Sequence, residues 1–228
     1  MRPLSDGRSL LDRVTDSVRT AILDGELVPG SHVSVPEIAR QLNVSRTPAR
    51  EALLRLQHEG LVRVTPRRGA VVLDASVADL RALFHYREAL EGMAARSAAT
   101  EMTPRAKRAL REIFIAHRDA VESQDVAAHE KHDRAFHIAF IEGSGNRYII
   151  GELDRVRSLL QLLMREMAAQ PGALSEPLIH AHERLLVAIE EGDGDAAERA
   201  ARKHVRAILE FSLAHPDADI RPLPAAGR

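Results

Sequence analysis

The chain is 228 residues long, 45 % hydrophobic and 29 % charged, with 32 Lys and Arg against 33 Asp and Glu and no cysteine. That length suits two domains, and the lack of cysteine excludes a disulfide scaffold and every thiolate metal site, so any metal must be held by His, Asp or Glu in a chain expected to be intracellular and cytoplasmic. The longest apolar run, Leu159 to Met164 broken by Gln161, is far below the ~20 residues of a membrane span, and the N-terminus lacks the apolar core of a signal peptide, so no membrane partner is expected.

In chain order, Leu11, Val14, Val18, Ile22 and Leu23 repeat with a helical period and Gly25 stops the run, which predicts a first helix over 10–24. Pro29-Gly30-Ser31 marks a turn. Val35, Ile38, Ala39 and Leu42 predict a short second helix ending at Asn43, and a third opens at Ser45 or Thr47 with Pro48 in its first turn and ends at Gly60. Leu61–Thr65 and Ala70–Leu73 are β-prone runs joined by Pro66-Arg67-Arg68-Gly69, a hairpin with two arginines at its tip. Helix, helix, turn, helix and hairpin make a winged helix-turn-helix over residues 1–75. Beyond Asp74 every periodic run is helical: one begins behind Ser76 and Asp79, another at Thr103-Pro104, and others cover about 125–141, 147–168, 176–191 and 195–213. Six helices with short loops predict an antiparallel bundle over 76–214, followed by a proline-containing tail, 215–228, expected to lie outside the core. The fold class is therefore mainly α.

Charge is unevenly spread. From Arg40 to Arg68 there are seven arginines against Glu51 and Glu59, whereas all seven aromatic residues lie beyond residue 83. The basic module thus has no rings on which single-stranded bases stack, and duplex DNA read by a helix is the better partner. Arg46 and Arg50, four apart, share the face of the third helix opposite Ala49, Leu53 and Leu56. Guanidinium groups so placed can take guanine O6 and N7 bidentately, while Ser45, Thr47 and the helix N-terminus suit phosphates. A merely solvated basic face is the plainer alternative, and the turn and the Arg67-Arg68 tip speak against it.

The strings Val44-Ser45-Arg46-Thr47-Pro48-Ala49-Arg50-Glu51-Ala52-Leu53 and Pro66-Arg67-Arg68-Gly69-Ala70, with Ala21-Ile22-Leu23-Asp24-Gly25 before them, resemble the winged helix of the GntR family of bacterial transcription regulators. The resemblance covers residues 10–74. It implies that Arg46 and Arg50 read bases, that Arg40 contacts the backbone and that Gly69 enters the minor groove. Pro36 stands where some members carry a further DNA-contacting arginine. Two-fold symmetric operators call for two winged helices, so a homodimer is expected.

In the second half, polar residues lie on apolar stripes. Asp133 and His137 share a helix face with Phe136 and Phe140, His182 lies with Leu178, Leu185 and Ile189, and His204 with Ala197, Ala201 and Ile208. One carboxylate and three imidazoles converging from three helices are costly to bury separately, and a divalent cation, Zn, Ni or Mn, satisfies all four. Separate satisfaction of each as a core polar group is the alternative. Arg87 shares a stripe with Leu80, Phe84 and Glu91, and a guanidinium there needs an anion, either Glu91 or a ligand carboxylate.

The run Asp133-x-x-Phe136-His137, with His182 and His204 behind it, resembles the FCD effector domain that follows GntR winged helices of the FadR subfamily, over about 77–213. The resemblance implies a small carboxylate effector bound at the metal. The expected function is a metabolite-responsive DNA-binding regulator, in the first instance a repressor, and not an enzyme. The competing readings are a metal-dependent hydrolase, for which no second carboxylate stands as a base, and a regulator whose metal is only structural.

Overall fold

The computed structural model describes residues 9–65, 69–74, 76–164 and 176–214. The chain divides into two compact units, with the main break in sequence between Val77 and Ala78.

The first unit holds α1 (Leu10–Leu23), β1 (His32–Val33), α2 (Val35–Gln41), α3 (Arg46–His58), β2 (Val62–Thr65) and β3 (Gly69–Val72). α1 starts in a capping box in which Ser9 and Asp12 satisfy each other's backbone N–H groups. The Ser34 hydroxyl accepts from the Glu37 N–H at the start of α2, with Pro36 in its first turn. α2 ends two residues before the expected Asn43, which takes a left-handed φ of 50° in the turn to α3. The three strands form an antiparallel sheet in the order β1-β3-β2, with Val64 opposite Ala70 and Val33 also opposite Ala70 on the other side. β1 was not expected from the sequence: two residues carry no periodicity, and its pairing exists only because the Pro29-Gly30 turn brings Ser31 to Val72, whose N–H donates to the Ser31 carbonyl at 2.9 Å.

Val14, Val18 and Ile22 of α1 are buried, as are Ala49, Ala52, Leu53 and Leu56 of α3 and Leu61, Val62, Ala70 and Val72 of the hairpin. These are the predicted apolar stripes, and each large side chain so buried contributes about 1.5–3 kcal/mol. Arg19 clamps Glu59 with two hydrogen bonds of 2.8 and 2.7 Å, tying α1 to the end of α3. The hairpin tip, with Arg67 and Arg68, lies outside the described residues.

The second part is helical: α4 (Val77–Glu101), α5 (Pro104–Glu122), α6 (Val126–Gly143), α7 (Arg147–Met164), α8 (Glu176–Glu191) and α9 (Gly194–Ala214). Thr103 and Asp125 cap α5 and α6, accepting from Ala106 and Ala128 N–H. Phe114, Phe136, Phe140, Leu110, Leu185, Leu186 and Ile189 form its core with a small-residue seam from Ala94 to Ala99. α4 and α9 approach closely there, since a Cβ on Gly92 would stand 2.9 Å from Cγ of Arg202. Glu88 of α4 fixes the pair by accepting from Arg206 at 2.6 and 3.0 Å. The expected stretch 165–168 of α7 and the tail 215–228 lie outside the described residues, and no helix among those described is long and apolar enough to cross a membrane.

Candidate metal centre and nucleic-acid interface

α3 turns its buried stripe towards α1 and leaves Arg46, Thr47 and Arg50 exposed on the other side. Ser45 occupies the N-cap position but makes no side-chain hydrogen bond to the helix, so its hydroxyl remains available. The seven basic-module arginines are not equivalent. Arg55 donates to Asp12 of α1 at 2.6 Å and Arg40 to Glu37 at 2.6 Å, whereas Arg46 and Arg50 form no ion pair among the described residues. An exposed pair such as Arg40 and Glu37 is worth little in water, so Arg40 can exchange its partner for a phosphate.

An open cleft of about 890 Å³ lies between α3, the start of α2 and the wing strands, bordered by Pro36, Arg46, Thr47, Arg50, Val64 and Gly69. Gly69 has a reason of its own to be glycine: φ is +92°, and a Cβ there would meet the Val33 carbonyl oxygen at 2.4 Å. The close approach of β3 to β1 therefore needs this glycine whether or not it meets DNA.

In the helical part, α6, α8 and α9 bring His137, His182 and His204 together. Their Nε2 atoms form a triangle with sides of 3.2, 3.0 and 3.2 Å. All three residues are buried, and their Nδ1 atoms have no hydrogen-bond partner among the described residues. Three neutral imidazoles in this arrangement aim either lone pairs or N–H groups at one point, and neither tautomer satisfies all of them. A cation resolves the conflict. Neighbouring nitrogens around an octahedral ion with bonds of ~2.1 Å stand roughly 3.0 Å apart, so the triangle has the size of one face of such a site.

Asp133 is less closely drawn in. Its Oδ1 lies 3.8 Å from Nε2 of His182 and 4.0 Å from Nε2 of His137, with the side chain 40 % exposed. Partial loss of hydration beside the rings works against its charge, but the field of His137 and His117 holds the carboxyl below its ordinary value. Burial, reinforced by the neighbouring imidazoles, pushes His182 well below the usual histidine range and His204 to about 3. Both are thus neutral at pH 7, the form that binds a metal.

His117 of α5 completes the surroundings and escaped the sequence reading. Its Nε2 lies 2.9 Å from Nδ1 of His129 and 4.0 Å from Asp133 Oδ1, its ring packs on His182, and burial lowers it to about 4. The signal was present: Leu110, Phe114, His117 and Val121 form one apolar stripe, the pattern that marked the other three histidines. His117, Asp133 and His182 make a second set of donors able to approach one ion. His180, two residues from His182, is exposed.

Arg87 has its anion within the chain. Its Nε–H donates to Glu91 Oε1 at 2.6 Å, and Glu91 is only 3 % exposed. Of the two partners that the sequence left open, the structure supplies the internal one. The guanidinium also lies 5.8 Å over the Phe84 ring.

A winged helix whose third helix leaves Arg46 and Arg50 without an ion pair among the described residues is an arrangement suited to a DNA-binding transcription regulator. Residues 10–72 match the family model described as bacterial regulatory proteins, gntR family, and residues 82–207 match the FCD domain. The chain belongs to the GntR family of regulators that carry an FCD domain. Among its relatives are the HTH-type transcriptional repressor RspR of Escherichia coli (28 % identical, covering 85 % of this chain and 84 % of the relative) and the Nta operon transcriptional regulator of Aminobacter aminovorans (36 %, covering 80 % and 87 %). The solved structure of E. coli McbR/YncC shares the fold with a TM-score of 0.74 at 23 % identity, covering 91 % of this chain and 99 % of that one.

Proposed function

We propose that this regulator binds a palindromic operator as a homodimer, and that a small carboxylate bound at a divalent cation in the helical part modulates that binding. The observation that carries the reading is the triangle of buried Nε2 atoms whose donors the protein leaves unmatched. His137, His182 and His204 would hold the ion with Asp133 as fourth ligand, and the ion when bound supplies a Lewis acid for a carboxylate oxygen. Charge supports the order of events: Asp133 and Glu91 outnumber Arg87 by one negative charge, so the pocket repels an anion until a divalent cation reverses the balance. Arg87, held by Glu91 through Nε alone, keeps its Nη groups for the second anionic group of such a ligand.

Arg46 and Arg50 read bases, Ser45, Thr47 and Arg40 hold phosphates, and Arg67, Arg68 and Gly69 bring the wing to the minor groove. RspR carries the name of a repressor, which favours repression here as well. Two measurements test the reading: metal analysis of the purified chain, and titration of hydroxy and keto acids into its complex with duplexes selected from a random pool. Selective release of the duplex in the cation-loaded protein is expected. A metal-free protein that releases DNA equally well would refute the cation site, and indifference to every carboxylate would leave the ion a structural part.

A further inference from the structure

Glu91 is a deeply buried carboxylate in the middle of α4, and its two oxygens face different partners. Oε1 takes the Arg87 Nε–H at 2.6 Å. Oε2 lies 3.4 Å from Nδ1 of His137, and neither of these two atoms has a hydrogen-bond partner. Leaving either group unmatched is costly, and a shift of a few tenths of an ångström pairs them with each other. The Nδ1 atoms of His182 and His204 are also unmatched, yet no carboxylate among the described residues lies within ion-pair distance of them. Among the described residues, His137 alone of the three has an anion behind it.

The tautomer follows from that anion. A proton on Nδ1 can be donated to Glu91, and Nε2 then presents a lone pair to the other two Nε2 atoms; the opposite tautomer would put an N–H into the triangle and two acceptors face to face behind it. A carboxylate buried alone would not stay charged, and Arg87 supplies the counter-charge that keeps it so.

We propose that Glu91, held by Arg87, is the positioning residue of the cation site: it accepts the Nδ1–H of His137 and so fixes that ring as an Nε2 donor. The proposal rests on the cation reading above and adds a residue that touches no ligand. Arg87 therefore acts first on the cation, through Glu91, and removing it disturbs the metal as well as any bound anion.

The test uses the full chain stripped with a chelator. Zn²⁺ affinity is measured by competition with a chromophoric chelator, the Co²⁺ complex by its visible absorption, and the histidine Nδ1 protons by ¹⁵N-resolved NMR. Glu91→Gln, a neutral and weaker acceptor, is expected to lose about 10- to 100-fold in Zn²⁺ affinity, to shift the Co²⁺ bands and to lose the downfield Nδ1–H signal of His137. If the unmatched Arg87 unfolds that variant, Arg87→Met with Glu91→Met removes charge and acceptor together, and the same loss is expected of it. Zn²⁺ affinity and a Co²⁺ spectrum unchanged in the folded variants would overturn the positioning role and leave the cation site standing. A wild type that takes up neither Zn²⁺ nor Co²⁺ would overturn both.

Discussion

Arg46 and Arg50 on α3 and Asp133 and His137 on α6 share one spacing, four residues, and almost nothing else. The arginines are exposed with no acid paired to them among the described residues, and the pair is complete on a single helix. The Asp-His pair is a fragment until α8 and α9 deliver His182 and His204 from 45 and 67 residues away. A site for a polyanion needs unmatched charge at the surface, where water keeps it inexpensive until the partner arrives. A site for a cation needs donors stripped of water and aimed at one point, which several elements must build together.

The sharpest way to separate the two regions is to break each alone. His182→Ala removes the imidazole shared by both sets of donors, and it should weaken Zn²⁺ binding by more than the roughly 100-fold that loss of an outer hydrogen-bond partner can cost. The same variant, by competition with the chelator and by gel shift, should still bind selected duplexes; simultaneous loss of DNA binding would mean that the two sites do not function separately.

Acid probes the buried side further. In the stripped protein burial holds His117 at about 4 and His204 at about 3, while both titrate near 6.5 once unfolded. Between those values the unfolded chain binds protons that the folded chain does not, so stability rises with pH and is lost as the pH falls below about 6.5. For His117 alone that loss is about 3 kcal/mol, at about 1.4 kcal/mol per pH unit. Tm followed from pH 7 to 5 in chelator should fall clearly; a flat profile would put these imidazoles in water.

On the exposed side, Arg46→Ala should cost ~1–3 kcal/mol in binding and relax specificity at one base pair, with Tm unchanged. Undiminished discrimination by the Arg46→Ala, Arg50→Ala double variant would remove both from base reading. Gly69→Ala inverts this pattern. Its Cβ would collide with the Val33 carbonyl, so about 1–3 kcal/mol of stability should disappear even without DNA. An unchanged Tm would show that the wing adapts and that the glycine serves DNA alone.

Much of this was legible residue by residue. The stripes of α1 and α3 and the start of α5 at Thr103-Pro104 come from neighbours within a turn or two, and local chemistry suffices for them. β1 was not, because two residues become a strand only when β3 lies beside them. His117 was missed although its stripe was visible, since what gives it meaning is its distance to Asp133 and His182.

The sequence by itself determined the winged helix, the six helices behind it, the exposed arginine face and the four polar residues on apolar stripes, because periodicity places side chains on faces without reference to the rest of the chain. Only the tertiary structure decided that Arg87 is held by Glu91, that Glu91 in turn faces His137, and that three imidazoles meet within 3.2 Å. Glu91, one turn on from Arg87, and a ligand carboxylate met the same electrostatic need, whereas the approach of Glu91 to His137 and the meeting of the three imidazoles are distances between helices, which no local pattern encodes.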